Sequence, residues 1–161
     1  MIIVLTGVAG VGKTTDGLLL AKELGWVFED ADNLHSIKDI KKMKSGYPLN
    51  EEDRAPWLAK AKRVVCKFCK TRANAVFAFP GLTENHRRTV LGDNSQVRIV
   101  HLVGSIELIE KRLRSRGNHF FPVQLLKTQF DLLEPPKETL TVDVTPPPDE
   151  IVKIIRRKLK V

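Results

Sequence analysis

The sequence predicts an α/β fold, a five-stranded parallel sheet sandwiched by helices, and three observations predict it. Short β-rich runs alternate with helical patterns along the 161 residues, the order that builds a parallel sheet with crossover helices. The runs are nearly continuous in apolar residues, as strands covered on both faces require. A glycine-rich stretch sits between the first run and the first helix, where a parallel sheet opens its ligand crevice.

The candidate strands are residues 2–5, 26–29, 75–79, 97–103 and 140–144. A helix is predicted over 13–24, with Gly25 at its C′ position. Ile37, Ile40 and Met43 mark a second helical pattern that stops at Gly46. Asn50 is placed to cap a third, answered by Asp53, although Pro56 in its first turns leaves the start open. Ser105 opens another, with Leu108, Ile109 and Leu113 facing inward. Pro135-Pro136 and Pro146-Pro147-Pro148 read as connectors flanking the last strand. The chain is expected to be a single domain over residues 1–161.

Composition narrows the class. Apolar residues make up 42% and charged residues 29%, the profile of a globular domain. No apolar run approaches the ~20 residues that span a bilayer, and the N-terminus lacks signal-peptide features, so the expectation is a cytoplasmic protein with no membrane partner. Cys66 and Cys69 form one C-x-x-C without a second Cys/His pair, which argues against zinc; the reading is two reduced thiols packed against the core. The formal charge of +8 suits ligands carrying several phosphates. Part of it lies on a terminal helical pattern with Ile151, Ile154, Ile155 and Leu159 on one face, so a solvated basic face is expected there and no nucleic acid.

Gly7-Val-Ala-Gly10-Val-Gly12-Lys13-Thr14 matches G-x-x-x-x-G-K-[ST] at every fixed position, between strand and helix. Glycines let the backbone curl so that successive N–H groups face phosphate oxygens, and the helix adds the positive end of its dipole. The pattern predicts a P-loop nucleotide triphosphate site formed by Ala9, Gly10, Val11, Gly12, Lys13, Thr14 and Thr15. Lys13 is expected to reach the β- and γ-phosphates of ATP and the Thr14 hydroxyl to ligate Mg2+. GTPases and motor ATPases need more chain than this, so the size favours a minimal phosphotransferase.

The second strand ends in Glu29-Asp30-Ala31-Asp32-Asn33-Leu34-His35. Alternation along an extended segment would aim Asp30 and Asp32 to one side of the crevice. Asp30 is assigned to the hydrated metal and Asp32 to the attacking hydroxyl as base, with the two roles exchangeable. Arg54 suits an anionic acceptor through paired hydrogen bonds. The basic, aromatic stretch from Arg112 to Phe121 reads as a mobile segment closing over phosphates.

The run Asp30-Ala-Asp32-Asn-Leu-His35 resembles the acceptor region of bacterial and eukaryotic gluconokinases. So does Lys42-Met43-Lys-Ser45-Gly46-Tyr-Pro48-Leu49-Asn50-Glu-Glu-Asp53-Arg54-Ala-Pro56-Trp57-Leu58. His119-Phe120-Phe121, Thr128-Gln129-Phe130 and Leu133-Glu134-Pro135 carry the likeness onward, so it covers nearly the whole chain. The resemblance implies the nucleoside monophosphate kinase-like fold and phosphorylation of D-gluconate, a small anionic sugar acid, at its 6-hydroxyl. It implies a short lid near residues 114–123, with Arg112 and Arg116 near the transferred phosphoryl. Asp32, His35, Arg54, Gly81, Leu82, Arg87, His119 and Gln129 would line the acceptor pocket. A homodimer is expected on the same analogy alone.

One stretch departs from the family. Where gluconokinases usually carry Cys-Ser-Ala-Leu-Lys and then a Tyr-Arg pair, this chain has Phe79-Pro80-Gly81-Leu82-Thr83 and then His86-Arg87. Leu82 and Arg87 survive; the serine, lysine and tyrosine do not. Losing a charge-assisted contact costs ~1.5–3 kcal/mol unless Arg87 or Arg88 compensates. Two rival readings follow: a kinase of shikimate or another aldonate, and a nucleotide-binding protein without turnover. The base is expected beside the Thr145-Pro146-Pro147 turn.

Overall fold

The structure, a computed structural model, describes residues 1–117 and 121–161. Five strands, β1 (Ile2–Thr6), β2 (Val27–Asp30), β3 (Ala75–Ala78), β4 (Val97–Val103) and β5 (Leu140–Asp143), form one parallel sheet in the order β2-β3-β1-β4-β5. Seven helices among the described residues connect or flank them: α1 (Lys13–Leu24), α2 (Ile37–Lys44), α3 (Glu51–Thr71), α4 (Glu84–Leu91), α5 (Ile106–Ser115), α6 (Leu126–Leu132) and α7 (Pro148–Leu159). Because β1 is central, with β3 on one side and β4 on the other, the loop after it opens at the point where the strand order reverses, where α/β sheets bind ligands.

Alternation along β1 divides the core. Ile3 and Leu5 point into a cluster with Leu20, Ile109 and Ile155, while Ile2 and Val4 join Trp57, Val65 and Phe77 on the other face. Of the five strands, β1 and β3 are buried throughout. The edge strand β2 leaves Val27 48% exposed, and β5 buries Val142 alone, so coverage on both faces holds at the centre and fails at the rims.

Local chemistry sets the helix ends. Gly25 closes α1 at φ +66°. Asn50 and Asp53 form a reciprocal capping box, which fixes the start of α3 at Glu51 and carries Pro56 inside the helix. Ser36 and Asp39 do the same for α2. In α5, Ile109 and Leu113 are buried and Leu108 half-buried, and the helix continues to Ser115. Arg112 and Arg114 therefore belong to its last turn, which corrects the placing of residues 112–115 in a separate segment after the helix. α7 buries Ile151, Val152 and Ile155, leaves Lys153, Arg157 and Lys158 exposed, and is tied to α1 by Arg156–Glu23 at 2.7 Å.

Both cysteines lie in α3, but Cys66 is exposed and only Cys69 packs against the core, accepting from Asn94 Nδ2 at 2.8 Å. The expectation of two packed thiols is corrected for Cys66. No helix among the described residues is long and apolar enough to cross a membrane.

Candidate active site

The phosphate loop follows β1 and ends in α1. Gly12 sits at φ +119° as the residue before the helix, a conformation that L side chains rarely adopt. Gly10 is required for space as well: a Cβ there would lie 2.6 Å from Leu113 Cγ in α5. Lys13 folds back inside the loop, its Nζ donating to the carbonyls of Gly7 and Val8, both at 2.9 Å. Burial pulls its ammonium below the ordinary value, Asp32 and Asp30 oppose this, and Arg116 reinforces it.

Thr14 Oγ1 donates to Asp30 Oδ2 at 2.6 Å, and Asp30 Oδ1 accepts the Asp32 N–H at 2.9 Å. Asp30 is the last strand residue, and Ala31–Leu34 form a 3-10 turn that its carboxylate caps. Asp32 therefore reaches the crevice through a tight turn, which corrects the extended-chain alternation invoked for it. Among the described residues no three of His, Cys, Asp and Glu cluster as a metal cage. A hydroxyl beside a carboxylate fits an ion that takes one or two protein oxygens and completes its shell with phosphate and water, as Mg2+ does.

A cavity lies beside the loop, lined by Ala9, Lys13, Asp32, His35, Arg54, Gly81, Leu82 and Gln129 among others. Gln129 Oε1 accepts the Ala9 N–H at 2.6 Å, so α6 is pinned to the phosphate loop and the Ala9 amide is already engaged. His35 stacks on Trp57 at 4.7 Å with ring planes 5° apart, and Trp57 Nε1 donates to Ala31 O at 2.7 Å. Burial holds the His35 imidazolium below its usual range, against the pull of Asp32 and Asp39.

Arg87 is not among the cavity-lining residues. Its guanidinium is buried behind the wall and donates to Gly81 O at 2.6 Å, so it braces the loop it was expected to complement. His86 lines the cavity instead, with Nε2 3.1 Å from Glu51 Oε2. Thr83 caps α4 through the His86 N–H and so does not stand in for the absent lysine. His119 lies outside the described residues.

On the other side of the loop, Gly12, Thr15, Asp16, Arg112 and Arg116 line a second cleft with Pro148 of α7. Arg112 donates to Val144 O at 2.6 Å, tying α5 to the end of β5. Asp16 is a residue that the motifs do not single out. It is 2% exposed, and its Oδ2 has no hydrogen-bond partner among the described residues. Burial pushes its carboxyl up to about 6, although Arg112 and Arg116 pull the other way. The sequence does hold a signal for it: a carboxylate at a helix position packed against the core.

A phosphate cradle after β1 and an acidic turn after β2, opening on one cavity, define a small phosphotransferase of the P-loop class. The family model for shikimate kinase matches residues 9–132. A probable gluconokinase of Xenopus tropicalis is 40% identical over 84% of this chain and 80% of its own. The thermoresistant gluconokinase of Escherichia coli is 35% identical over 94% and 89%. A gluconokinase structure from Sinorhizobium meliloti superposes with a TM-score of 0.81 at 33% identity, covering 98% and 94% of the two chains. A sugar kinase structure from Janibacter sp. gives 0.90 at 31% identity over 99% and 94%. The chain belongs to the gluconokinase family.

Proposed function

We propose that this protein transfers the γ-phosphoryl of ATP to the 6-hydroxyl of D-gluconate, giving 6-phosphogluconate and ADP. The single observation that carries the reading is the cavity in which Lys13 of the phosphate loop and Asp32 of the acidic turn meet beside Arg54. Sequence kinship with gluconokinases along most of the chain supports the acceptor.

The residues divide the work by chemistry. Lys13, now satisfied by two loop carbonyls, exchanges them for phosphate oxygens and spreads the charge of the transferring group. Thr14 and Asp30 would hold the magnesium ion, which would supply positive charge to offset that of the polyphosphate. Asp32 orients the acceptor hydroxyl and takes its proton. Ala9, Gly10, Val11, Gly12 and Thr15 supply the backbone of the cradle, and Arg112 and Arg116 close on the polyphosphate from the α5 side. Arg54 receives the acceptor carboxylate, while His35 and Gln129 engage its hydroxyls. The protein works as a single cytoplasmic domain, assembled as a homodimer.

A coupled assay with ATP, magnesium and D-gluconate tests the proposal, with other aldonates and shikimate run beside it and specificity judged by kcat/KM. Gluconate should give the highest value. No turnover at millimolar gluconate, with another acid phosphorylated, would replace the substrate; ATP binding without transfer to any acid would replace the enzyme by a binding protein.

A further inference from the structure

Arg54, the group proposed to receive the acceptor's carboxylate, already holds one. Its Nη1 donates to Glu51 Oε1 at 2.9 Å, one helical turn away at the start of α3. The same Glu51 carboxylate meets His86 Nε2 from the opposite wall, at 3.1 Å through Oε2 and 3.3 Å through Oε1. Arg54 and His86 both line the acceptor cavity. Burial alone would push the Glu51 carboxyl up, but hydrogen bonds from His86 and Arg54 win and hold it below the usual range, so it stays ionised.

We propose that Glu51 is an internal stand-in for the acceptor's carboxylate, seated on Arg54 until an anionic acceptor displaces it. This rests on the anionic-acceptor reading above and names the residue that sets its affinity. Two features make the exchange feasible. Glu51 is 62% exposed, so water solvates it once it leaves. His86 gives it a second partner that does not depend on Arg54. An acceptor carboxylate therefore replaces one ion pair with another, and the site is never left with a bare guanidinium facing a half-dry cavity.

Glu51→Gln removes the competitor while keeping side-chain length. The start of α3 does not rest on it, because Asn50 and Asp53 form the capping box. The expected result is a KM for gluconate lowered roughly two- to fivefold, the scale of a partly exposed ion pair, with kcat unchanged. In an Arg54→Met background the same substitution should give no gain, since there is no guanidinium to release. A KM that is unchanged or raised in Glu51→Gln overturns the proposal. A gain that persists in the Arg54→Met background overturns it as well, since that would mean general repulsion. A parent enzyme that leaves gluconate untouched sinks the substrate reading instead, and the pair of variants is then read on the acid the acceptor panel returns. Turnover of no acid at all overturns both.

Discussion

Thr14 Oγ1 and Asp30 Oδ2 lie 2.6 Å apart, joining the first turn of α1 to the last residue of β2. The other oxygen of that carboxylate accepts the Asp32 N–H at 2.9 Å. One side chain thus positions the hydroxyl proposed for magnesium and shapes the turn that presents the proposed base.

Asp30→Asn should disturb the first of these. An amide keeps one acceptor and turns the second into a donor, so the hydrogen bond to Thr14 must reverse and the negative charge offered to the metal is lost. The magnesium concentration for half-maximal rate should rise, and activity should fall ~10–100-fold, the range for groups that orient a metal's ligands. A magnesium titration at saturating ATP checks this. An unaltered requirement would remove Asp30 from the metal site.

Asp32→Asn separates chemistry from donor binding. An amide cannot take the proton of the acceptor hydroxyl, and kcat should fall ~10²–10⁴-fold. The dissociation constant for ADP, measured by calorimetry, should stay within about twofold, because loop amides and Lys13 carry that affinity. Retention of most of the parental kcat would hand the base to another group.

Much of this arrangement is legible in the residues themselves. β4 runs from Val97 to Val103 and α1 from Lys13 to Leu24, as apolar runs, the loop motif and Gly25 dictate. These signals are local, so no tertiary knowledge is needed. What was not legible depends on partners distant in sequence. Arg87 is a buried brace because α4 turns it toward the Gly81 carbonyl, and the same helix carries His86 to the cavity wall. A window of Glu-Asn-His-Arg-Arg-Thr-Val-Leu has too few apolar residues to announce that helix. Asp32 arrives by a 3-10 turn because the Asp30 side chain captures its N–H, a competition of side chain with strand that alternation does not foresee.

Gly10→Ala should act through packing. Its Cβ would meet Leu113 Cγ at 2.6 Å and Cδ2 at 2.8 Å, at φ +78°. Overpacking costs ~1–3 kcal/mol, and the left-handed backbone adds about 1–2 kcal/mol. Thermal denaturation should show a lowered Tm, and ADP affinity should weaken as the loop shifts. Leu113→Ala in the same chain should recover part of the loss, giving less than the sum of the two single effects. Strict additivity would place the clash elsewhere.

Asp16→Asn should stabilise the nucleotide-free protein at neutral pH. The folded state raises the Asp16 carboxyl from 3.8 to about 6, chiefly by burial, so folding disfavours its ionised form. Below pH 3.8 the group is protonated in both states and costs nothing; between 3.8 and about 6 the unfolded chain ionises while the native state keeps the proton on a buried carboxyl whose Oδ2 has no hydrogen-bond donor among the described residues, and above about 6 both are ionised and the loss is complete. Stability should therefore decline across that window, by on the order of 2 kcal/mol after allowing for screening by the adjoining cleft. The amide of the variant has no such proton to lose, so urea unfolding at pH 4, 6 and 8 should show it pulling ahead of the parent chain as pH rises. Parallel pH profiles for the two proteins would mean that Arg112 and Arg116 already satisfy the carboxylate.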